Sequence, residues 1–379
     1  NPPNITVAMG STFVPRLSGG SGHVSWVVEG ESVAWEDGML VGLDPGQGSA
    51  EAVDDYTGQS TSIAVTVVAP FEVETVRAGD ASYQATVLTP GDINGDGWPD
   101  AILAIHEADI LALDGGGVYV YAGKEGGMEP NQAPAQILAG PARRDRLGRH
   151  AAVGDLDQDG QLDLVVGANQ YDGGATDNGG LLVYRGVADG FFEPEPHQVL
   201  VGLFGFDHLG FGVVTCDVNG DGWLDLVGAA RLGENRDLEV QPKDQGALYV
   251  FLGSENGFPL KADQILYGKV PEDGAWVDAA GLRMGYRITS GDFDGDGSCD
   301  VAVSSYDYSS GDGRSNDGAV FLYQGQEKTE LESGGLSAHP VRAWAGFEGN
   351  ATSNLGRELG MGDLDGDGKD ELLLCQYKE

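Results

Sequence analysis

One acidic pattern of nine residues occurs five times in this chain, each time directly before a short apolar run. The five copies are Asp92–Asp100, Asp155–Asp163, Asp217–Asp225, Asp292–Asp300 and Asp363–Glu371. In each copy Asp or Asn stands at positions 1, 3 and 5, Asp or Glu stands at position 9, and glycine allows a sharp turn at position 6. Oxygen donors at this spacing suit a hard cation with about six to eight oxygen ligands, and calcium is the leading candidate. The pattern therefore predicts five calcium-binding loops.

The residue at position 7 varies between the copies and can add its backbone carbonyl oxygen to the side-chain ligands. The predicted calcium ligands are Asp92, Asn94, Asp96, Trp98, Asp100, Asp155, Asp157, Asp159, Gln161, Asp163, Asp217, Asn219, Asp221, Trp223, Asp225, Asp292, Asp294, Asp296, Ser298, Asp300, Asp363, Asp365, Asp367, Lys369 and Glu371. Asn94 and Asn219 make the first and third loops less charged, which predicts weaker binding there. Glu371 replaces the closing Asp and makes the fifth loop the most divergent.

The sequence around the loops predicts strands. Position 12, where an EF-hand needs Glu, holds Leu, Val or Gly in every copy. Apolar runs typical of strands follow the loops at AILA from Ala101, LVVGA from Leu164, LVGAA from Leu226, VAVSS from Val301 and LLLC from Leu372. Four of the units have another such run, from Gly117, Leu181, Ala247 and Ala319. The loops begin 63, 62, 75 and 71 residues apart, a period typical of β-propeller blades.

Three segments resemble FG-GAP repeats, the blades of the integrin α-subunit propeller and its bacterial relatives. They are Leu147–Ala168, Leu209–Ala230 and Met284–Ser305. The Phe-Gly half of the repeat is degenerate, and its equivalents are Gly148-Arg149, Gly210-Phe211, Gly285-Tyr286 and Gly356-Arg357. The resemblance covers about residue 71 to the C-terminus and implies an all-β fold with an FG-GAP-type β-propeller.

The integrin-like resemblance implies about seven blades in the parent protein, of which this chain holds roughly four and a half. A propeller must close to hide its strand edges. We therefore expect a truncated chain whose parent continues. The alternative is a smaller ring whose last blade is completed by N-terminal strands or by a partner chain.

Residues 1–70 lack the acidic loop and follow another pattern. Alternating runs such as VSWVVEG from Val24 and SIAVTVVAP from Ser62 are separated by Gly-rich turns, which predicts a small β-sandwich. The order of these runs is similar to bacterial immunoglobulin-like (Ig-like) modules, which implies a spacer. We therefore predict an Ig-like β-sandwich over residues 1–70 and the calcium-binding propeller over residues 71–379. FEVETV from Phe71 is the candidate outer strand that closes the ring.

The chain has 60 acidic and 21 basic residues, for a net charge of −39 at pH 7. This charge argues against nucleic acid or an anionic membrane surface as a partner, and we expect no direct membrane insertion. The resemblance implies an extracellular or cell-surface protein, secreted and of bacterial type. The three cysteines are too few and too scattered for a disulfide framework. Free thiols are the favoured interpretation, and a Cys216–Cys299 bond between adjacent blades is the alternative.

The sequence contains no independent catalytic pattern. Nearly all clustered carboxylates are accounted for as calcium ligands, so a glycosidase-like acid–base pair has no separate support. The six histidines lack zinc-site spacing, and neither a Gly-x-Ser-x-Gly elbow nor a P-loop frame occurs. We therefore predict that the chain is not an enzyme and that calcium stabilises the turn between the first two strands of each blade.

In integrin-like propellers the calcium loops occupy one rim, so the resemblance places ligand recognition on the opposite face. Aromatic residues and arginine dominate binding hot spots. On that basis the candidate ligand-binding residues are Tyr171, Arg231, Arg236, Tyr306, Tyr308 and Arg314, which lie in loops between second and third strands. Loops between blades add Arg143, Arg144, Arg146, Phe204, Phe206, His208 and Trp276.

Three functions remain open from the sequence. The favoured one is a non-enzymatic extracellular adhesion or ligand-binding protein in which an Ig-like spacer presents a calcium-stabilised propeller to a protein partner. The alternative is a carbohydrate-binding propeller, either a lectin or the accessory part of a secreted polysaccharide-degrading enzyme. A third possibility is a scaffold subunit of a larger surface assembly.

Overall fold

The fold is taken from a computed structural model. It describes residues 85–128, 132–188, 190–238, 241–272, 274–309, 317–328, 334–346 and 354–376 in full, and before residue 85 the backbone of seven strands. The candidate strand FEVETV and Arg314 lie outside the described residues. The described part of the chain contains 29 strands and no helix, so the predicted all-β class is confirmed. Accordingly, it has no helix of the length and apolarity that a bilayer span requires.

The chain divides into two compact units, residues 1–77 with 123–133 and residues 78–122 with 134–379. The strands of the first unit are β1 Asn4–Ala8, β2 Thr12–Phe13, β3 Val24–Glu29, β4 Val33–Glu36, β5 Met39–Gly42, β6 Gly46–Asp54 and β7 Ser60–Val68. They form a sheet of order β1-β7-β6-β3, in which β1 runs parallel to β7, and a second sheet of order β2-β5-β4. Two sheets are compatible with a small β-sandwich, and the Ig-like assignment of residues 1–70 stays a prediction.

The second unit repeats one four-stranded antiparallel sheet, which we call a blade. Blade 1 contains β8 Ala85–Gly91, β9 Asp100–Ile105, β10 Gly117–Tyr121 and β11 Gln136–Ala139. Blade 2 contains β12 Leu147–Gly154, β13 Asp163–Ala168, β14 Gly180–Tyr184 and β15 Gln198–Val201. Blade 3 contains β16 Leu209–Cys216, β17 Asp225–Ala230, β18 Ala247–Phe251 and β19 Gln264–Tyr267. In each blade the strands lie side by side in chain order.

Two hairpins follow the third blade, one before the fourth blade and one within it. The first hairpin is β20 Lys269–Glu272 with β21 Ala275–Asp278. Blade 4 contains β22 Ile288–Gly291, β23 Asp300–Ser305, β24 Ala319–Tyr323 and, after the second hairpin of β25 Gly325–Gln326 and β26 Gly335–Leu336, β27 Arg342–Ala345. A final antiparallel pair consists of β28 Leu359–Gly362 and β29 Glu371–Leu374. The two hairpins lie in the repeats whose loop spacing is longest. Trp276, expected in a between-blade loop, lies instead in β21.

The core of this unit lies between successive blades, because side chains on a strand alternate between the two faces of its sheet. In β13, Leu164 and Val166 belong to a buried cluster shared with blade 1, whereas Val165 belongs to one shared with blade 3. Burying such a side chain contributes about 1.5–3 kcal/mol. Every inner strand is therefore apolar at consecutive positions, which explains why the runs predicted from Ala101, Leu164, Leu226 and Val301 form strands β9, β13, β17 and β23.

A second repeated contact joins each blade to the next through a glycine directly before or at the start of the third strand. Gly116, Gly179, Gly246 and Gly318 each form a parallel bridge with the beginning of the following repeat. Gly179 has a φ of +74°, and a Cβ there would lie 2.2 Å from the carbonyl oxygen of Leu209. Only glycine permits both this conformation and this approach.

The cysteines differ from the favoured interpretation of free thiols. Cys216, at the end of β16, and Cys299, directly before β23, form a disulfide whose Cα atoms are 6.0 Å apart. The bond joins blades 3 and 4, because the residue before the third acidic loop lies next to the end of the fourth loop. Cys375 is a free and exposed thiol. The sequence spacing of 83 residues concealed this proximity, which the stacking of blades creates.

Candidate functional site

The five acidic loops connect the first and second strands of their blades and share a hydrogen-bond pattern. In the second loop the Gly160 N–H donates to Asp155 Oδ2 at 3.1 Å, and the Gln161 N–H donates to Asp159 Oδ1 at 2.8 Å. The equivalent bond from position 6 to position 1 measures 2.7, 2.8, 2.9 and 3.1 Å in the other loops. The position-6 glycines all have φ between 87° and 92°. The same residue pattern thus folds into the same turn five times.

The closing Asp at position 9 ties the loop to its blade. Asp163 accepts the Leu156 N–H at 2.9 Å with one oxygen. Its other oxygen accepts the N–H of Gly186, two residues after the third strand, at 2.8 Å. Asp225 makes the same two bonds at 2.9 and 2.8 Å, and Asp300 makes them at 3.1 and 2.9 Å. All three carboxylates are almost fully buried. Since each carboxylate oxygen has further lone pairs, these bonds still leave acceptor sites for a cation.

The carboxylates of three loops converge closely enough to bind one ion each. Asp155, Asp157 and Asp163 place one oxygen each within 4.8 Å of one another. The same holds for Asp292, Asp294 and Asp300, and for Asp363, Asp365 and Glu371. Asp155 and Asp157 each have a buried Oδ1 without a hydrogen-bond partner. A buried anionic oxygen without a partner is costly, so this donor set fits a hard divalent cation.

Burial changes the acidity of the closing carboxylates. It raises the pKa of Asp225 to about 7, with the neighbouring charges of Asp217 and Asp221 adding to the rise and the Gly253 and Val218 N–H groups opposing it. Burial also raises the pKa of Asp300 to about 6. Protons and a cation therefore compete for these loops near neutral pH.

Adjacent loops contact one another along this rim. The Gln158 side chain of the second loop donates to the Gly222 carbonyl of the third at 2.8 Å. The Cys299 N–H in the fourth loop donates to the Asp217 carbonyl of the third at 2.9 Å, beside the disulfide. The second, third and fourth loops are consequently connected, so the conformation of one can affect the next.

Basic side chains also approach the acidic loops. Arg185 Nε lies 3.1 Å from Asp157 Oδ2, and Lys328 Nζ lies 3.1 Å from Asp221 Oδ2. These ion pairs are partly exposed, so each contributes at most about 1 kcal/mol. They show that the loop carboxylates attract positive charge from elsewhere in the chain.

Arginine and aromatic side chains cluster at the other ends of the same strands. The Arg149 guanidinium stacks 3.9 Å above the Phe211 ring, and Arg231 lies 5.1 Å from the same ring. The Tyr286 ring lies 6.1 Å from Phe211 and 4.0 Å from Tyr306. Arg149 and Phe211 follow the glycine in the first strands of blades 2 and 3, and Tyr286 follows the equivalent Gly285 just before the first strand of blade 4. We call these five residues the arginine–aromatic cluster.

A family comparison identifies the repeated sheets. Residues 147–184, which run from β12 to β14, and residues 209–251, which run from β16 to β18, match the family described as FG-GAP repeat. These segments are similar to FG-GAP repeats. Each match begins at the Leu that opens the first strand and contains one complete acidic loop. The antiparallel FG-GAP blades confirm the predicted propeller class.

Several curated proteins are similar to parts of the chain. Integrin alpha-8 of Mus musculus is 26% identical over 286 residues, which are 74% of this chain and 24% of that protein. Integrin alpha-5 of Xenopus laevis is 32% identical over 160 residues, covering 39% of this chain and 14% of the relative. Phosphatidylinositol-glycan-specific phospholipase D of Mus musculus is 33% identical over 146 residues, which are 37% of this chain and 17% of that protein. The chain thus spans a quarter or less of these relatives, and the matches support an integrin-like FG-GAP propeller.

The FG-GAP blades bring only some of the candidate ligand-binding residues together. Arg231 and Tyr306 belong to the arginine–aromatic cluster, and Arg236 stacks 4.6 Å from Phe204 and donates to the Gly205 carbonyl at 3.0 Å. Tyr171 and Tyr308 pack against buried clusters between blades. Among the candidates in loops between blades, Arg143, Arg144 and Phe206 are exposed. Arg146, Phe204 and His208 are half-buried.

The sequence prediction missed Arg149, Phe211 and Tyr286 as site residues. They stand in the degenerate Phe-Gly slot, which the sequence analysis used only to recognise the repeat. Alignment of the repeats by their glycine places all three at the same position, in or just before the first strand of neighbouring blades. That alignment is the signal that could have revealed the cluster.

Proposed function

We propose that this chain is part of a non-enzymatic, extracellular ligand-binding propeller whose blade loops bind calcium. Calcium would be held by the oxygens at positions 1, 3, 5 and 9 and by the carbonyl at position 7. When bound, the ion supplies positive charge that offsets the mutual repulsion of the loop carboxylates. The chain's own residues fix the turn through the bonds from Gly160 to Asp155 and from Gly186 to Asp163.

The calcium proposal rests on the Oδ1 atoms of Asp155 and Asp157. They are buried, they lack hydrogen-bond partners, and they belong to one of three groups of converging carboxylates. The first and third loops have the same backbone hydrogen bonds with Asn at position 3. The first and third loops therefore carry one negative charge less than the other three. This difference supports about five calcium sites with unequal affinity.

The similarity to integrin α chains and the concentration of arginine and aromatic side chains opposite the acidic loops support the binding part of the proposal. Such side chains are common among residues that dominate protein interfaces. We propose that this face binds a protein partner outside the cell and that the first unit is a spacer. The converging carboxylates of the acidic loops fit a structural cation and therefore favour a non-enzymatic role for these loops.

Calcium titration of chelator-treated protein by calorimetry, with melting curves alongside, tests the calcium proposal. Uptake of about five ions and a rise in melting temperature are expected. Asp155→Asn combined with Asp157→Asn should remove one ion, whereas the exposed control Asp237→Asn should remove none. Uptake without stabilisation, or no uptake, would contradict the structural role.

The partner class needs a separate experiment. The calcium-loaded chain is screened against extracellular protein fractions and against a glycan array. Saturable binding to a protein, weakened by substitution of Arg231, supports the proposed class. Repeated calcium-dependent binding to one sugar family, with no protein ligand, would contradict it and favour the carbohydrate-binding function.

A further inference from the structure

Five arginines lie close together at the face opposite the acidic loops, although the chain carries a net charge of −39. They are Arg146, Arg149, Arg231, Arg283 and Arg287. Their concentration brings positive charge together at one place on a strongly acidic chain. A positive site on a strongly acidic protein selects for anionic groups, because the rest of the surface repels them.

Carboxylates within the chain neutralise three of these arginines. Arg287 forms a bidentate ion pair with Glu358, in which Nε donates to Oε2 at 3.0 Å and Nη2 donates to Oε1 at 3.1 Å. Arg283 Nη2 lies 2.8 Å from Asp244 Oδ2, and Arg231 donates to Asp307. Arg146 and Arg149 have no such carboxylate partner among the described residues. The cluster therefore holds positive charge that the fold itself does not balance.

Arg149 is the central member of this group. The residue is only 8% exposed, and its guanidinium carbon lies over the Phe211 ring, 3.9 Å from the ring centroid. Burial lowers the pKa of Arg149 to about 10, with the positive charges of Arg287, Arg231 and Arg146 adding to the effect. Burial and then Arg287 and Arg149 also lower the pKa of the adjacent His150, to about 4. A buried, unbalanced cation of this kind is costly unless an anion approaches it.

We propose that the arginine–aromatic cluster binds a carboxylate side chain of a protein partner, with Arg149 and Arg146 as its charged contacts. A stacked guanidinium presents N–H groups along its edge, and this planar fork matches a carboxylate. The Arg287–Glu358 pair shows the same chemistry within the site. The proposal rests on the proposed function, in which this face meets the partner.

The neighbouring surface favours a protein over a free anion. The loop before β16 carries Leu203 and Phe206, which are 52% and 58% exposed. Exposed apolar side chains beside a buried charge site are typical of a protein interface, where they exclude water from the ion pair. An acidic residue flanked by apolar residues is therefore the expected feature of the partner.

The test uses the whole calcium-loaded chain and two matched probes, N-acetyl-aspartate methylamide and N-acetyl-asparagine methylamide. Their binding is measured by ligand-observed NMR titration at low salt. The aspartate probe should bind about tenfold more tightly than the asparagine probe, since only it carries the charge. Equal binding of the two probes would overturn the proposal without any substitution in the protein.

Arg149→Met removes the charge while keeping an apolar group over Phe211, and it should reduce aspartate-probe binding by about tenfold or more. The control Arg342→Met removes an arginine that also stacks on a ring, 5.3 Å from Phe293, and should leave binding unchanged. Arg149→Lys retains the positive charge but lacks the planar guanidinium, and it should reduce aspartate-probe binding by less than Arg149→Met. This variant provides the test if Arg149→Met does not fold. Unchanged binding in both Arg149 variants would refute the assignment.

A sulfated oligosaccharide is the third probe and tests whether the site binds a glycan anion instead. If it binds through Arg149 while the aspartate probe does not bind, the site takes a glycan anion and the proposal is wrong. If a protein partner binds but Arg149→Met leaves its affinity unchanged, the carboxylate inference fails while the proposed function stands. Failure of calcium uptake contradicts the calcium proposal alone.

Discussion

At the scale of the residue, the position-9 carboxylates combine two roles. Asp225 accepts backbone N–H groups from its own loop and from the end of the third strand, yet it also belongs to the predicted calcium ligands. Its burial raises its pKa to about 7. The same side chain thus holds the blade together and makes the loop sensitive to protons.

Calcium affinity should fall as the pH is lowered from about 8 to about 5.5. Burial raises the pKa of Asp225 to about 7 and that of Asp300 to about 6, well above the ordinary value for Asp, so their neutral forms are favoured in the calcium-free fold. For these groups, lowering the pH through 7 and 6 stabilises the calcium-free protein. Calcium requires the charged form, so the same change weakens its binding.

Calorimetry in two buffers of different ionisation enthalpy measures this effect. Proton release on calcium binding near pH 7 is the expected result. Asp225→Asn should remove the release that belongs to the third loop. Calcium affinity that stays constant over this pH range would contradict the assignment of Asp225 and Asp300 as ligands.

At the scale of the element, blades are joined by backbone contacts that depend on glycine and by a disulfide. The bridges at Gly116, Gly179, Gly246 and Gly318 occur at the same place in every repeat. The Cys216–Cys299 bond occurs once, between blades 3 and 4. Both connect parts of the sequence that lie far apart, so each should contribute to how the blades stay together.

Gly179→Ala should lower the free energy of unfolding by more than about 2 kcal/mol, because it combines an unfavourable positive φ with a clash. The added Cβ would lie 2.2 Å from the Leu209 carbonyl oxygen. Gly274→Ala is the matched control, since Gly274 has a φ of +81° but nothing within 4 Å of an added Cβ. The control should cost about 1 kcal/mol. Denaturant unfolding of calcium-loaded protein measures both, and equal losses would show that the bridge is not required.

Removal of the disulfide should reduce stability by about 2–4 kcal/mol, because the reduced chain gains conformational freedom when unfolded. The variant is Cys216→Ser with Cys299→Ser, and Cys375→Ser is the control for loss of a thiol. Melting curves with and without a reducing agent should converge for the double variant alone. An unchanged melting temperature in that variant would argue against a stabilising bond.

At the scale of the whole molecule, charge dominates. The net charge of −39 includes the acidic loops on one rim, whereas the five-arginine group lies at the opposite ends of the strands. Self-repulsion at the rim opposes the folded state in the absence of divalent cations. The opposite face, with locally positive charge, is suited to binding acidic groups.

Sodium chloride should raise the melting temperature of the calcium-free protein more than that of the calcium-loaded protein. Salt shortens the screening length from about 10 Å at 0.1 M to about 3 Å at 1 M and so weakens repulsion between the loop carboxylates. Bound calcium offsets that repulsion beforehand. Melting curves at several chloride concentrations measure the difference, and equal rises would place the repulsion outside the calcium loops.

Much of the propeller could be predicted from local sequence. The strands after each acidic loop and those from Gly117, Leu181, Ala247 and Ala319 are confirmed, because short apolar runs and turn chemistry act over a few residues. The hairpin β20–β21 was missed because its strands are only half-buried or exposed and lack a strong apolar pattern. Tyr171 and Tyr308 were proposed as ligand contacts, yet they also pack against buried clusters between blades.

The sequence by itself determined the acidic loops, the inner strands and the repeat that makes them blades. Each depends on residues a few positions apart, whose geometry the local backbone sets. Only the tertiary structure decided which blades share the disulfide, which glycines meet the next blade, and that Arg149, Phe211 and Tyr286 form one cluster. These contacts join residues from about 30 to 83 positions apart, and their formation depends on the stacking of whole sheets.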